Sequence, residues 1–320
     1  MTDLLKHRIN PVWLASYPRS GNTFLRILLQ NIFQLPSYSV YNLEGKNYAD
    51  PSAEALENAP LLPQDWRSQI SQRSDAETIL IKTHGPNEAR GRAIYVARDG
   101  RAAIDSYYHY HKKYAFEQPS LTEVIAGACQ FGSWSEHYLA WRPKTRPNTL
   151  LLRYEDLVKK PEEVIGRLAQ FLEREPGNGR LPSFEELKAR VPTFFRRGDN
   201  QDFLAKWTPQ QMALFNRLHG AVMQELGYPL AETHGEVTST EEELARSASR
   251  LHRQYMERLT ELSATAASQQ QLSRDLANLQ QEVSKLKTRV VNKDEVLKKR
   301  WVRFGLALGI LKPERSSNGQ

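Results

Sequence analysis

Val12-Trp13-Leu14-Ala15-Ser16-Tyr17-Pro18-Arg19-Ser20-Gly21-Asn22-Thr23-Phe24-Leu25-Arg26 is the stretch that decides the fold. It reads as a buried strand, a tight turn, then a helix whose start carries Ser20, Gly21, Asn22 and Thr23. A helix start offers unpaired backbone N–H groups and a partial positive charge, so it is a ready anion seat. Here the turn adds hydroxyls and Arg19 at the same corner, which suits a phosphate or a sulfate. The P-loop of nucleotide hydrolases needs Gly, four residues, then Gly-Lys-Ser/Thr. This turn has one glycine and no Gly-Lys pair, so that signature is absent while its strand–turn–helix logic survives. The plain alternative is an ordinary strand-to-helix turn capped by Ser20.

Outward from this corner, short apolar runs alternate with helical patterns. Val12–Ser16, Thr78–Lys82, Ala93–Ala97 and Thr149–Arg153 read as strands apolar on both faces, as in a parallel sheet covered on both sides. Helices are expected at Thr23–Phe33, Gly100–Tyr114, Leu121–Trp141, Pro161–Leu172, Phe184–Arg190 and Pro209–Leu226. Gly227-Tyr228-Pro229 stops the last of these. The expected fold is α/β, a three-layer sandwich around a central, mostly parallel sheet, spanning residues 1–232. Tyr38–Pro63 reads as an irregular lid or substrate loop.

From about Ser239 the texture changes to Glu, Gln, Ala, Leu, Arg and Ser. Leu272, Leu276, Leu279, Val283, Leu286 and Val290 alternate at spacings of four and three. The frame extends back through Leu262, Tyr255, Leu251, Ala248 and Leu244, with polar Arg258, Thr265 and Gln269 interrupting it. This heptad seam predicts a coiled coil within 233–300, joining copies of the chain over 244–297. The competing arrangement is a long helix folded back on its own domain. Residues 301–320 form a basic, apolar tail, and the stretch 298–312 is short enough to lie in a membrane surface rather than cross it.

The chain of 320 residues is 40% hydrophobic and 25% charged, an ordinary globular balance, and its net charge of +7 fits an anionic ligand. No nucleic-acid partner is expected. One cysteine, Cys129, cannot form an internal disulfide, which points to a reducing, cytoplasmic setting, with the inner membrane surface as its extension through the tail.

Three further segments stand at strand ends, where open α/β sheets place their ligands. Lys82-Thr83-His84-Gly85-Pro86 sets a cation and an imidazole beside a turn; a histidine there can take a proton from a hydroxyl near neutral pH. Arg98-Asp99-Gly100 precedes a helix carrying Ser106, a pair that can hold a second phosphate, unless Arg98 is spent on Asp99 or Asp105. Arg196-Arg197-Gly198 is a basic loop that can clamp an anion or simply stand in water. Tyr38, Tyr41, Tyr48, Tyr107, Tyr108 and Tyr110 can stack on an acceptor or simply pack.

The order of these segments carries more than each alone. Strand–YPRSGNT–helix, KTHGP, YVARDG with a serine eight residues past Arg98, RYEDL and FFRRG together resemble the soluble sulfotransferase family over about Asn10 to Tyr228. The resemblance implies 3′-phosphoadenosine 5′-phosphosulfate (PAPS) as cosubstrate and no metal. By position it implies a 5′-phosphosulfate loop at Arg19, Ser20, Gly21, Asn22, Thr23 and Phe24. It implies a catalytic His84 accompanied by Lys82, and 3′-phosphate contacts at Arg98, Ser106, Arg196, Arg197 and Gly198. Adenine contacts fall on Phe24, Tyr154 and Phe184. The chain departs from common members at Arg19 (often Lys), Asn22 (often Thr), Phe24 (often Trp) and Gln201-Asp202-Phe203 (often Gly-Asp-Trp), which leans toward bacterial and carbohydrate-type members. The implied reaction is sulfuryl transfer to a hydroxyl or amine of a small molecule or glycan, with His84 as base and charge stabilised by Arg19 and Lys82. The rivals are a Mg²⁺-dependent P-loop-like kinase or hydrolase, and an inactive scaffold acting through the coiled coil.

Overall fold

The computed structural model describes residues 11–39, 78–85, 91–114, 118–190, 206–264 and 278–284. Five strands form one sheet: β1 (Val12–Ser16), β2 (Ser37–Ser39), β3 (Leu80–Thr83), β4 (Arg92–Ala97) and β5 (Thr149–Arg153), in the order β2-β3-β1-β4-β5. Every pairing is parallel, with Leu14 opposite Lys82 on one side and Ile94 on the other. The chain leaves β1 toward β3 and β2 and returns on the far side as β4 and β5. The carboxyl ends of β1, β3 and β4 therefore flank a topological switch point, the place where such sheets bind ligands.

Nine helices stand among the described residues up to 264: α1 (Asn22–Phe33), α2 (Gly100–Tyr114), α3 (Leu121–Ala126), α4 (Trp134–Trp141), α5 (Tyr154–Lys159), α6 (Pro161–Leu172), α7 (Phe184–Arg190), α8 (Pro209–Glu225) and α9 (Ser239–Ala264). Strand side chains alternate between two cores. Val12, Leu14, Leu80, Ile94, Val96 and Leu152 pack with α1, α5, α6 and α7. Trp13, Ala15, Ile81, Ala93, Tyr95 and Ala97 pack with α2, α3, α4 and α8. The three-layer α/β sandwich expected from the sequence is the architecture found, with a wholly parallel sheet.

Two local expectations change. The single helix read over Leu121–Trp141 is two, because Gly127 (φ 80°) and Gly132 (φ 68°) adopt left-handed backbone between α3 and α4. β2, an edge strand of three residues, carries too little periodicity to be read from sequence.

The helix beyond the sandwich, α9, follows in its first half the competing arrangement, folded back on its own domain, rather than the expected seam between copies of the chain. Ala245, Ala248, Ser249, His252 and Tyr255 are buried, and Leu244 packs against Ala128 and Ala248. The first half of the heptad frame is thus used against the chain's own α3 and α8. Residues 278–284 are helical, with Leu279 and Val283 half-buried; the rest of the seam and the 301–320 tail lie outside the described residues. None of the helices described is long and apolar enough to cross a membrane.

Candidate active site

The loop from Tyr17 to Gly21 joins the central strand β1 to α1. Ser20 N–H donates to the Tyr17 carbonyl (3.2 Å), and the backbone is left-handed at Arg19 (φ 64°) and Gly21 (φ 102°). Arg19 holds a conformation that few residues other than glycine adopt. Gly21 is the N-cap of α1; no side chain caps this helix start, and no acid stands in its first turn. Ser20 is therefore not the cap that an ordinary turn would need. Its Oγ is buried without a hydrogen-bond partner, as is Asn22 Oδ1. Buried polar atoms are nearly always paired, so this uncapped corner with an orphaned hydroxyl has the composition of an anion seat. Asn22 Nδ2 ties the corner down, donating to the Leu14 carbonyl (2.9 Å) and Ser16 Oγ (3.3 Å).

His84 follows β3 directly. Its Nδ1 lies 2.7 Å from the Ser16 carbonyl oxygen, with Ser16 Oγ 3.4 Å away. A carbonyl can only accept, so Nδ1 carries a proton, and the neutral form of the ring then has its lone pair on Nε2. That is the tautomer a general base requires. The ring is half-buried and meets Phe131 edge-on at 5.5 Å. Lys82, buried at 7% exposure, shares the α1 side of the sheet with Leu14 and Leu80.

The second cationic segment converges on the same loop. Arg98 Nη1 donates to the Arg19 carbonyl (2.7 Å), and its guanidinium lies 4.3 Å over the Tyr154 ring. Tyr154 in turn packs against Gly21: a Cβ added there would fall 2.5 Å from Tyr154 Cδ2. Arg19 Nε donates to Ser106 Oγ (3.2 Å), and its guanidinium lies 5.3 Å from the Tyr110 ring centre. The Asp99 carboxylate is gripped by Arg101 through Oδ1 (3.0 Å) and Oδ2 (2.6 Å). Asp105 faces His109 and Trp207. Arg19, Ser20, Gly21, Asn22, Arg98, Ser106 and Tyr154 thus form one continuous patch, joined to His84 through Ser16. The segments read as two anion sites abut directly, Arg19 touching Ser106.

Phe24 (8% exposed) is part of the α1-side core, and Thr23 is buried beside it. Phe184 opens α7, with its side chain outside the described residues, as are Arg196, Arg197, Gly198, Tyr41 and Tyr48. Tyr107 is fully buried and packs against Tyr17; Tyr38, Tyr108 and Tyr110 are half-buried. Cys129 is a buried free thiol in the core. Among the described residues, no three His, Cys, Asp or Glu side chains form a metal-binding group.

Three residues that sequence reasoning passed over matter here. Ser16 supplies the carbonyl that orients His84. Trp141 Nε1 donates to the Gly85 carbonyl (2.9 Å), and His137 Nδ1 pairs with Tyr95 Oη (2.8 Å). Burial pushes His137 down to about 3, a drop partly offset by the backbone of His84 and Gly85. The i, i+4 spacing of His137 and Trp141 puts them on one helix face, which the sequence shows, while the turn after β3 that this face meets is set by tertiary contact.

With this geometry in hand, the comparisons are direct. The family defined by the sulfotransferase domain matches residues 10–227. Human sulfotransferase 2B1 is 26% identical over 246 residues, covering 68% of this chain and 67% of the human protein. Flavonol 4′-sulfotransferase of Flaveria chlorifolia is 27% identical over 210 residues, covering 58% and 60%. The chain thus spans about two thirds or less of the length of these relatives. The crystal structure of mouse sulfotransferase SULT7A1 complexed with PAP superposes with a TM-score of 0.53 at 20% identity, covering 68% of this chain and 84% of that one. The chain belongs to the sulfotransferase family, the family its ordered motifs resemble.

Proposed function

We propose that this chain transfers a sulfuryl group from PAPS to a hydroxyl of a small-molecule or glycan acceptor. The observation that carries the reading is the hydrogen bond from His84 Nδ1 to the Ser16 carbonyl. It fixes a base at the foot of the same loop whose uncapped helix start and orphaned Ser20 hydroxyl suit an anion. PAP, bound in the mouse sulfotransferase structure, is this donor less its sulfuryl group, and that supports the choice of donor.

The donor supplies an activated sulfuryl group on a phosphate leaving group. The chain's residues do the rest. His84 Nε2 takes the acceptor's proton. Arg19, Lys82, Ser20 and the N–H groups of Asn22, Thr23 and Phe24 hold negative charge at the 5′ end; these donors are preorganised, so they need not reorient during reaction. Arg98 and Ser106, with Arg196, Arg197 and Gly198, hold the 3′-phosphate. Phe24, Tyr154 and Phe184 take the adenine. Tyr110, beside Arg19, and Tyr38 line the acceptor side. We place the enzyme in the cytoplasm, pairing with a second copy through the seam beyond Tyr255, with 298–312 on the inner membrane surface; fractionation and sedimentation test those assignments.

The deciding experiment combines His84→Ala with calorimetry. Removal of a general base costs roughly 10²–10⁴ in rate, so radiolabelled transfer should fall by that factor while PAP still binds without Mg²⁺. Unchanged transfer removes His84 from the mechanism. Binding that requires Mg²⁺ favours a kinase or hydrolase instead.

A further inference from the structure

Helix α4 lies between His84 and the helix outside the sulfotransferase domain. On one side it touches the turn carrying His84. Trp141 Nε1 donates to the Gly85 carbonyl (2.9 Å), and the backbone of His84 and Gly85 faces the buried imidazole of His137. Gly85 N–H is itself held by Thr83 Oγ1 (3.0 Å). On the other side, Glu136 accepts from Ser249 Oγ (3.2 Å) and Arg253 Nη2 (2.5 Å), both on α9. The family match ends at residue 227, so α9 lies beyond it. Glu136 and His137 are adjacent in sequence, and Trp141 is one turn further on. A shift of α4 that loosens Glu136 therefore moves the donor that fixes Gly85.

We propose that Trp141 is a positioning residue for His84 and that α9, through Glu136, sets where Trp141 stands, making the C-terminal helix part of the catalytic scaffold. This rests on His84 being the base. The physical need is plain. Misplacing a reacting group by about 1 Å can cost on the order of 10²-fold in rate. The Ser16 carbonyl fixes the ring's tautomer, while the backbone bearing the ring meets α4 through His137 and, at Gly85, through Trp141.

The test uses the full chain and four variants. Trp141→Phe keeps an aromatic ring at this buried position and removes the indole N–H with the five-membered ring that carries it, so thermal unfolding is measured beside the rate. One hydrogen bond is worth about 1 kcal/mol, so kcat should fall roughly five- to tenfold, and further if the turn drifts. KM for PAPS and PAP affinity should stay at wild-type values, since the anion contacts are elsewhere. Arg253→Glu sets two carboxylates against each other and should lower kcat several-fold with the same unchanged KM. Glu136→Arg with Arg253→Glu restores the pair in reverse and should recover kcat. PAP-binding stoichiometry by calorimetry corrects every rate for misfolded protein. Wild-type kcat in Trp141→Phe, a loss carried by KM, or failure of the swapped pair to recover overturns the proposal. His84→Ala is run alongside: if it leaves kcat unchanged, the underlying assignment of the base has failed, a different outcome from failure of the scaffold.

Discussion

Gly21→Ala probes the joint between the loop and Tyr154. Two penalties apply. The backbone at Gly21 is left-handed (φ 102°), which costs an L-residue about 1–2 kcal/mol. The new Cβ would also fall 2.5 Å from Tyr154 Cδ2. The ring has little room to retreat, being 9% exposed, packed in the α1-side core and covered by the Arg98 guanidinium. Overpacking of this kind costs about 1–3 kcal/mol. The sum, about 2–5 kcal/mol, corresponds to a fall in Tm of roughly 5–15 °C for a domain of this size. Displacing Tyr154 also disturbs Arg98, so PAP affinity should drop about tenfold or more, a loss of ~1.4 kcal/mol.

Gly132→Ala is the matched control. Its φ is 68°, yet nothing lies within 4 Å of an added Cβ, so it carries the backbone penalty alone. Thermal unfolding with and without PAP compares the two. Gly21→Ala should be the less stable and should lose most of the ligand-induced rise in Tm, while Gly132→Ala keeps that rise. Equal stability losses with equal PAP stabilisation would refute the coupling of loop, Tyr154 and Arg98.

Arg98→Ala should lower PAP affinity by roughly 10–100-fold, the value of a lost charge-assisted contact of about 1.5–3 kcal/mol, and erase the preference for PAP over adenosine 5′-phosphate; an unchanged preference in calorimetry assigns the 3′-phosphate elsewhere. Stability should fall as the medium is acidified below pH 6.5. Burial holds the pKa of His137 down to about 3 and that of His219 to about 4, both below the ordinary histidine value of 6.5. Between these limits the unfolded chain binds protons the folded chain does not, so acid favours unfolding. Near pH 5 the two together contribute a slope of about 2 kcal/mol per pH unit, and urea unfolding at pH 7, 6 and 5 would contradict this by showing a flat profile.

The centre of the sheet was legible because β1, β3 and β4 are buried on both faces, and β5, though half-buried, is an unbroken Leu run. Val12–Ser16 and Thr149–Arg153 coincide with β1 and β5, and Ala93–Ala97 falls one residue short of β4 at its start. β3 shifted by a residue or two, since Thr83 at its end has no apolar character to read. What escaped was set by tertiary contact. The seam at Leu244–Tyr255 is a correct helical stripe, yet a stripe does not name its partner, and the apolar surface around Ala128 lies closer than a second chain. The chemistry at Arg19, His84 and Arg98 was legible as residue types in order. Their junction was not, because it runs through backbone carbonyls of Ser16, Arg19 and Gly85, and a carbonyl leaves no mark in a sequence.

That junction explains why arginine suits position 19. The residue must sit in left-handed backbone, offer its carbonyl to Arg98, donate to Ser106 and lie by Tyr110. A guanidinium can donate in its plane through Nε while its face meets an aromatic ring, with two further nitrogens to direct at an anion; a lysine ammonium has one nitrogen and no face. Arg19 therefore acts as a planar bridge between the loop and α2, where a lysine would be a point charge held by the loop alone. The same planarity excludes proton donation to the leaving group, since a guanidinium keeps its protons. In the proposed reaction, acid catalysis at the departing phosphate is thus not a task for residue 19, and the charge developing there would be met by fixed donors: Arg19 itself, Lys82 and the uncapped N–H groups at the start of α1.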